Sequence, residues 1–448
     1  MLTKTLKMKY FFFLILVFLS NCSFDDKTGI WKNDDIILNK EKDRFKNFET
    51  LSNEKILFSK IIGIDPNYKF VLPKKTVPEN WKDIYYNSGN NTDNFEYKNL
   101  NNLIFKSKKI SKYKVNDRIL YANNKIISSD DKGNILLFSI NEEILEKYNF
   151  YKRKYKNIKK KLYMTVDENT VYVADNIGYF YAYDFLTQKI KWAKNYKIPF
   201  RSNIKIVNSK IVAANQNNIL YFFNKKNGDI LKTIPTEETL IKNNFENNIS
   251  FKEKSIFFLN TYGSLYSVNE ENLEINWLIN LNRSIDINPS NLFSGQEMVV
   301  SQNKIIVSSR NSTFIVDANT GSILKKLNIS STIKPIMMNN YLYTVSNELL
   351  ICYDIASFNI IYSYDINKII SNFLKIKKTK KIFFSPLEIF IVNDNLHLFL
   401  KNSHVLKFNI NGELKKIDKF KNKISTNPIF INKNLIYINN KNKISVVD

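Results

Sequence analysis

Short apolar runs alternate with short polar turns along most of the chain. Five stretches share one order: an apolar strand, a polar turn, a second strand that ends in Asp or Asn, another turn, and a third strand. They occupy residues 169–194, 209–234, 254–280, 303–327 and 340–364, and weaker copies occupy 125–148, 395–418 and 434–448. The β-branched and aromatic enrichment, without a long helical pattern, predicts an all-β protein.

The spacing of these repeats predicts the architecture. They begin near residues 125, 170, 210, 255, 304, 341, 395 and 434. One further apolar stretch precedes most of them, such as residues 203–207 and 428–431, which makes four strands per unit. Small sheets of this kind cannot bury both faces alone and stack around an axis. We therefore expect an eight-bladed β-propeller with four-stranded blades over residues 75–448; the alternative is an open or seven-bladed array.

The two ends of the repeat region are complementary. The last repeat stops at Asp448, where its third strand should begin, and residues 103–110 (LIFKSKKI) resemble that missing outermost strand. Pairing this N-terminal strand into the last blade would close the ring and remove an open sheet edge. We therefore predict that residues 103–110 complete the last blade.

The N-terminus has the pattern of an export signal. Three lysines precede the apolar run Tyr10–Leu19, which is about half as long as a membrane-spanning helix. The sequence Leu19-Ser20-Asn21-Cys22 resembles the lipobox of bacterial lipoproteins. That resemblance implies a signal peptide over residues 1–21, diacylglycerol on the Cys22 thiol and an acyl chain such as palmitate on its amine. Ser23 then favours the outer membrane, and residues 22–74 are interpreted as a polar, lipid-anchored tether; a short membrane anchor is the alternative.

Composition limits the chemistry that the chain can perform. It contains 2 His, 2 Cys and 10 Gly in 448 residues, too few for a disulfide scaffold, a four-thiolate zinc site or glycine-rich nucleotide loops. If Cys22 carries lipid, Cys352 is left as a free, buried thiol. The formal charge is +25, or 25 − 3 = +22 without residues 1–21. The lysines are dispersed, which indicates a solvated surface and no nucleic-acid partner.

The turns of the repeat resemble a known family. Asp184…Thr187…Trp192 and Asp317…Thr320-Gly321…Lys325 are degraded forms of the quinoprotein-like pattern Asp-x-x-Thr-Gly-x-x-x-Trp. With the lipobox, the tether and residues 78–91 ahead of the ring, the chain resembles the BamB family, the lipoprotein propellers of the outer-membrane β-barrel assembly machinery. The resemblance implies a non-catalytic periplasmic scaffold on the outer membrane. It would bind the barrel-assembling protein and its complex, and guide unfolded barrel precursors, without a cofactor.

Two other functions remain open from the sequence. A quinone-dependent dehydrogenase could use the same fold, but it needs converging carboxylate and amide ligands for calcium, and a vicinal cysteine pair is absent. His397 and His404 alone are too few for a metal site. A lipid-anchored propeller that binds a peptide or polysaccharide is the other possibility. The longer connections 235–248 and 283–296 are candidate partner-contact loops, and Leu240, Ile241 and Asp286 are the residues chosen within them.

Overall fold

The computed structural model describes residues 57–238, 242–282, 292–375 and 385–448, together with the backbone of two short strands nearer the N-terminus. These two strands, β1 (Cys22–Phe24) and β2 (Trp31–Asn33), pair with each other in antiparallel register. Within the described residues, no helix combines the length and the apolar character that crossing a membrane requires.

The repeats form eight antiparallel sheets of four strands, which we call blades 1 to 8 and which confirm the predicted eight-bladed propeller. Two short strands precede the blades: β3 (Asn94–Phe95) and β4 (Leu103–Lys106). Blade 1 comprises β5 (Leu120–Ala122), β6 (Lys125–Ser129), β7 (Asn134–Ser139) and β8 (Leu145–Asn149). Blade 2 comprises β9 (Leu162–Asp167), β10 (Thr170–Asp175), β11 (Tyr179–Asp184) and β12 (Lys189–Asn195). Blade 3 comprises β13 (Lys205–Val207), β14 (Lys210–Ala214), β15 (Leu220–Asn224) and β16 (Ile230–Ile234). Blade 4 comprises β17 (Asn248–Lys252), β18 (Ser255–Leu259), β19 (Ser264–Asn269) and β20 (Ile275–Asn280).

The second half of the ring repeats this arrangement. Blade 5 comprises β21 (Val299–Ser301), β22 (Lys304–Ser308), β23 (Thr313–Asp317) and β24 (Ile323–Leu327). Blade 6 comprises β25 (Ile336–Met338), β26 (Tyr341–Ser346), β27 (Leu349–Asp354) and β28 (Asn359–Asp365). Blade 7 comprises β29 (Pro386–Val392), β30 (Asn395–Leu400), β31 (His404–Asn409) and β32 (Leu414–Lys419), and β3 adds to it in parallel. Blade 8 comprises β33 (Ile429–Ile431), β34 (Asn434–Ile438), β35 (Ile444–Val447) and β4.

The N-terminal strand closes the ring as predicted. β4 pairs antiparallel with β35, with Ser445 opposite Lys106 and Val446 opposite Phe105. The strand itself is shorter than the predicted residues 103–110, but the chain after Lys106 stays against the last blade: Ser107 N donates to Ile444 O at 3.0 Å and Ile110 N to Asn442 O at 2.9 Å. The outward side of β35 is therefore paired, and β4 is the outermost strand of the last blade.

The middle strands of each blade are buried because neighbouring blades cover both of their faces. β10 is buried at all six positions, and β26 likewise. The outer strands are far more exposed: β24 is exposed at four of its five positions. The hydrophobic core therefore lies between the blades, which explains why the middle strands read as continuous apolar runs.

The repeat motif joins adjacent blades. Trp192 Nε1 in β12 donates to Lys225 O of blade 3, and Trp277 Nε1 in β20 donates to Ala318 O of blade 5, both at 3.1 Å. The acidic residue of the motif caps its own turn: Asp184 Oδ1 accepts from the N–H groups of Leu186 and Thr187 at 3.0 Å. Both roles match the architectural interpretation of the motif.

The compact unit that contains the ring begins at Leu57, ahead of the predicted propeller boundary at residue 75. Ile64, Tyr68, Phe70 and Leu72 pack against the core of blades 6 and 7, and Phe70 lies edge-on to Tyr341 at 5.0 Å. This part of the predicted tether is attached because it carries apolar side chains among its polar ones. The assignment of the remainder of residues 22–74 as a tether stays a prediction.

One helix interrupts the all-β pattern. α1 (Ile366–Phe373) follows blade 6, and Asp365 caps it by accepting from Lys368 N at 2.9 Å. Ile366 and Ile370 are buried against the blades. The sequence analysis did not predict this helix, although an Asp cap followed by apolar residues spaced by three and four is its signal.

Candidate functional site

The direction of the inner strands defines two faces of the ring. The inner strand is the first strand of each blade and lies nearest the axis. It starts on the face that carries the connections between consecutive blades, here called the connection face. It ends on the opposite face, here called the hairpin face, where the turns between first and second strands lie. The connections include residues 150–161, 196–204 and 420–428.

Residues 76–98, here called the circling segment, run around the axis and contact every blade. Its backbone pairs with the inner strands in ring order. In blades 8, 1 and 2, Asn432 N donates to Pro78 O, Tyr121 N to Trp81 O and Val166 N to Lys82 O, each at 2.9 Å. In blades 4 and 5, Phe251 N donates to Ser88 O at 2.8 Å and Val300 N to Gly89 O at 2.7 Å. β3 then pairs with β29, and Lys98 N donates to Lys433 O of blade 8 at 3.1 Å. The segment therefore completes one turn of the ring.

Two asparagines fix this segment at the axis. Asn90 is fully buried, and its Nδ2 donates to Asn248 Oδ1 at 3.0 Å and to Ile249 O at 3.1 Å. The amide of Asn91 pairs with the backbone of Met337 in both directions, at 2.8 and 3.1 Å, as a strand residue would. Side-chain amides thus replace backbone pairing where the chain turns too tightly to continue a strand.

Six charged side chains meet at the axis. Lys205 Nζ lies 2.6 Å from Asp83 Oδ2. Arg118 contacts Glu388 at 3.2 Å and Glu297 at 3.4 Å, and Lys334 Nζ donates to Asn90 O at 3.1 Å. Three cations therefore face three carboxylates, and the cluster is neutral within itself.

Burial and neighbouring charge act against each other in this cluster. Burial lowers the pKa of Lys205 while Asp83 favours its charged form, and burial also lowers the pKa of Lys334. For Arg118, burial acts to lower the pKa, but Glu388, Tyr85 and Glu297 raise it further, so the net shift is upward. Arg118 also lies 4.8 Å from the centre of the Tyr85 ring, and burial followed by Glu297 raises the pKa of that phenol. These partners hold one another in place.

A cavity of about 280 Å³ lies on the connection-face side of the cluster, with Ile84 and Tyr85 of the circling segment in its wall. Amide and charged side chains make up most of the rest of its lining; the amides are Asn116, Asn203, Asn244, Asn247, Asn248 and Gln296, and the charged residues are Asp117, Arg118, Lys161, Glu246 and Glu297. Lys161 Nζ and Tyr163 Oη both bind Glu246 Oε1, at 2.6 and 3.0 Å. Asn247 is buried and its Oδ1 accepts no hydrogen bond from the described residues. The cavity is thus polar and suited to hydrogen bonding.

The residues at the axis do not fit a quinone with calcium. Asp83, Glu297 and Glu388 are each engaged by a lysine or arginine of the chain itself, so they do not form a free set of oxygen ligands. In the described part of the chain, no group of three or more His, Cys, Asp or Glu residues could hold a metal ion. Cys352 is free and buried in β27 of blade 6.

The two histidines are also separated in role. Burial, with Lys407 nearby, lowers the pKa of His397 to about 3. His404 Nδ1 lies 3.1 Å from Asn402 Oδ1 in the adjacent turn. His397 pairs across the sheet with Lys407, three positions from His404, so the two rings are not cross-strand partners.

The predicted site residues cannot all be placed. Leu240, Ile241 and Asp286 lie outside the described residues, although the flanking ends of their loops are on the connection face. Cys22 is described only as the first residue of β1. These four residues stay predictions. Sequence reasoning missed the axial charges, whose signal is a charged residue inside an inner strand, as with Lys205 in β13 and Glu388 in β29.

The chain is similar in sequence to one protein family. The family model described as outer membrane protein assembly factor BamB matches residues 149–364, which is 216 of the 448 residues. The match spans blades 2 to 6 and the end of blade 1. No curated protein matches the sequence.

Solved structures share the fold at low sequence identity. BamB from Moraxella catarrhalis is 11% identical, covers 78% of this chain and 100% of its own, and has a TM-score of 0.60. The quinohemoprotein alcohol dehydrogenase from Comamonas testosteroni is 8% identical, covers 82% and 80%, and has a TM-score of 0.58. The computationally designed Ika8 protein is 8% identical, covers 76% and 99%, and has a TM-score of 0.55. Identities this low show the fold alone.

The sequence match and the ring of eight closed blades agree with the quinoprotein-type repeat read from the turns. The chain is an eight-bladed propeller of quinoprotein-type repeats, and over residues 149–364 its sequence is similar to the BamB family.

Proposed function

We propose that this protein is a non-catalytic lipoprotein scaffold of the outer-membrane β-barrel assembly complex. The observation that carries the proposal is the match to the BamB family model over blades 2 to 6, on a ring whose fold BamB shares. The occupied axis supports it. The side chains of Tyr85, Lys205 and Lys334 occupy the axis of the ring. Lys205 pairs with Asp83, and Lys334 donates to a backbone carbonyl of the circling segment.

The N-terminus places the scaffold at a membrane in this proposal. The signal peptide 1–21 would direct export, and lipid on Cys22 would hold the protein at the periplasmic face of the outer membrane. Each buried CH₂ of an acyl chain contributes about 0.8 kcal/mol, so several chains on one cysteine hold it stably. Residues between Cys22 and Leu57 would then set the distance between the lipid and the ring.

The connection face is the proposed contact with the barrel-assembling protein. Loops on a rigid scaffold carry recognition more often than the scaffold itself. The two connections that contain Leu240, Ile241 and Asp286 leave blades 3 and 4, which are rigid four-stranded sheets. Two apolar residues and one acid are suited to a partner surface that is apolar with a basic rim.

The outer strands are the proposed contact with unfolded barrel precursors. Among the described strands, β16, β20 and β24 each pair on one side only, so no described strand occupies the backbone donors and acceptors of their other edges. Exposed apolar side chains lie on the same strands, including Leu231 (48% exposed), Leu278 (50%) and Ile323 (48%). An extended precursor could add to such an edge as a further strand.

A second candidate has one observation in its favour. The axial cavity is rich in amide side chains and includes the unpartnered Oδ1 of Asn247, which suits a polar ligand such as a peptide or polysaccharide. A lipid-anchored propeller that binds such a ligand on its connection face is therefore the alternative function. The quinone-dependent dehydrogenase is less well supported because the axial carboxylates are already paired.

Co-purification from membranes tests the scaffold. We expect the full chain to recover an outer-membrane barrel protein with periplasmic repeat domains. The triple variant Leu240→Ala, Ile241→Ala, Asp286→Ala should lose it. The matched control removes two exposed apolar residues and one acid from turns between the third and fourth strands of blades 1 and 2 (Ile144→Ala, Leu186→Ala, Glu142→Ala), outside the proposed contacts, and should retain it.

Other results would separate the candidates. Recovery of cell-wall polysaccharide or short peptides, with no barrel protein, would favour the ligand-binding alternative. Dye-coupled alcohol oxidation after addition of quinone and calcium would favour the enzyme and contradict the scaffold.

A further inference from the structure

A second cavity, of about 310 Å³, lies on the connection face between blades 1 and 2. Its lining contains five cations and no carboxylate. The cations are Lys132, Lys152, Arg153, Lys156 and Lys160, and the other lining residues are Tyr113, Asn134, Asn149 and Tyr151. We call this the basic cavity.

The chain concentrates positive charge at this point. The connection of residues 150–161 has seven lysines and arginines and no acid. A short 3₁₀ turn, Arg153–Tyr155, folds the connection back: Lys156 N donates to Arg153 O and Tyr155 N to Lys152 O, both at 3.0 Å. The charges that look like a solvated run in the sequence therefore line one cavity.

The floor of the basic cavity is held rigidly. Lys160 is 3% exposed, its Nζ donates to Tyr155 O, and it lies 5.1 Å from the centre of the Tyr151 ring. Burial, followed by the charge of Lys132, lowers the pKa of Lys160. Tyr151 Oη donates to Asp175 Oδ2 at 2.5 Å. A cation fixed in this way is a preorganised partner for an anion, because little side-chain entropy is lost on binding.

The nearby aspartates Asp130, Asp131 and Asp175 favour the charged form of Lys160, but three carboxylates offset only part of the charge of the five lining cations. Asp130 accepts from Ser111 Oγ at 2.6 Å and from Asn134 Nδ2. Asp175 accepts from Tyr151 and from the backbone N–H groups of its own turn. Among the residues that the structure describes, no carboxylate forms an ion pair with any of the five lining cations. The cavity therefore carries an excess of positive charge.

We propose that the basic cavity binds a phosphate-bearing anion. Arginine and lysine together are the side chains that proteins use for phosphate oxygens, and a site with five cations suits an anion with several charges. Two sources supply this chemistry: a free polyphosphate and the phosphodiester headgroup of an anionic lipid. The site is separate from the loops of the proposed scaffold role, so either proposal can fail alone.

Calorimetric titration of the full chain with two soluble probes tests the site. The probes are tripolyphosphate and glycerophosphoglycerol, which is the headgroup of phosphatidylglycerol without its acyl chains. We expect 1:1 binding of at least one, with affinity that falls as salt is added. Lys152→Glu, Arg153→Glu, Lys156→Glu should weaken binding at least tenfold, because three exposed cations of the cavity are reversed.

The matched control reverses three lysines on hairpin-face turns and outer strands: Lys189→Glu, Lys226→Glu, Lys325→Glu. It changes the net charge by the same amount as the cavity variant, and its affinity for the probe should stay within twofold of that of the unchanged chain. Lys152→Arg with Lys156→Arg should keep binding. Tripolyphosphate alone binding indicates a free phosphate ligand, and binding of the glycerol phosphodiester indicates a lipid headgroup. No binding of either probe, or an equal loss in both triple reversals, would overturn the proposal.

Discussion

Individual residues join one blade to the next. Gly228 and Gly321 have φ of +73° and +74°, in the left-handed region, and each lies in the turn under the tryptophan of the preceding blade. A Cβ at Gly321 would be 2.6 Å from Cε3 of Trp277, and one at Gly228 would be 2.6 Å from the same atom of Trp192. The glycine is therefore needed both for its φ and for the close approach of the ring.

Replacing Gly321 should measure this contact. Gly321→Ala should lower the free energy of unfolding by about 2 kcal/mol, because the backbone is strained and Trp277 must move. Gly63→Ala is the matched control: no atom lies within 4 Å of its added Cβ, so a change within about 0.5 kcal/mol is expected. Urea denaturation of both variants gives the comparison, and equal changes would contradict the interpretation.

His397 should make stability depend on pH. Burial lowers its folded pKa to about 3, while in the unfolded chain it is about 6.5. Below about pH 6.5 the unfolded state therefore binds a proton that the folded state does not. The free energy of unfolding then decreases as the pH is lowered. Between pH 7 and pH 5 this costs about 2 kcal/mol.

The variant His397→Leu isolates this contribution. Its loss of stability between pH 7 and pH 5, measured by urea denaturation, should be about 2 kcal/mol smaller than that of the unchanged protein. The carboxylates titrate in both chains and cancel in the difference. An identical pH dependence in the two proteins would show that His397 is protonated in the folded state.

At the scale of elements, two N-terminal pieces complete the ring from opposite sides. β4 pairs with the outer side of β35, and the circling segment pairs with the inner strands. Both include contacts more than 200 residues apart in sequence, such as Asn91 with Met337 and Phe105 with Val446. Such contacts form late and stabilise the complete ring.

The closing strand should depend on one side chain. Phe105 in β4 is half-buried and lies 5.9 Å from Phe138 of blade 1, whereas its neighbour Ile104 is 52% exposed. Phe105→Ala should cost about 2 kcal/mol, less than a fully buried phenylalanine, and Ile104→Ala should cost less than about 0.5 kcal/mol. Chemical denaturation measures both. If neither substitution changes stability, β4 does not contribute to closure.

At the scale of the whole molecule, the ring is a rigid body with two different faces. The hairpin-face ends of the inner strands pair with the circling segment, while the connection face holds both cavities and the described ends of the candidate contact loops. A scaffold at a membrane needs this asymmetry, since its orientation decides which loops reach a partner.

Membrane attachment is the prediction that belongs to this scale. If the proposed acyl chains on Cys22 supply the membrane affinity, Cys22→Ala should move the protein from the membrane to the soluble fraction after cell breakage. Cys352→Ala is the control, since Cys352 is buried in blade 6, and it should leave attachment unchanged. Fractionation followed by immunodetection checks both. Continued membrane association of Cys22→Ala would contradict the lipid anchor.

The repeats alone determined the class of fold, the number of blades and the closing strand. Each blade is a local unit, so its strands and turns are encoded by neighbouring residues such as Asp184 and Trp192. The sequence also indicated that Asp and Asn at the turns cap local backbone groups. The blades and their turns are predictable because their physical causes lie within about 50 residues of chain. The closing strand pairs Lys106 with the distant Ser445, and it was predictable only because the last repeat lacks its third strand.

The tertiary structure alone decided what lies at the axis and which lysines act together. Lys205 and Asp83 are 122 positions apart, so no local pattern relates them, and Lys132 and Lys160 meet because the connection after blade 1 folds back over the turn that holds Lys132. The same is true of residues 57–74, which look like a polar tether until Phe70 is seen against Tyr341. A ring brings residues from several blades to its axis, and only closure of the ring determines which residues meet there.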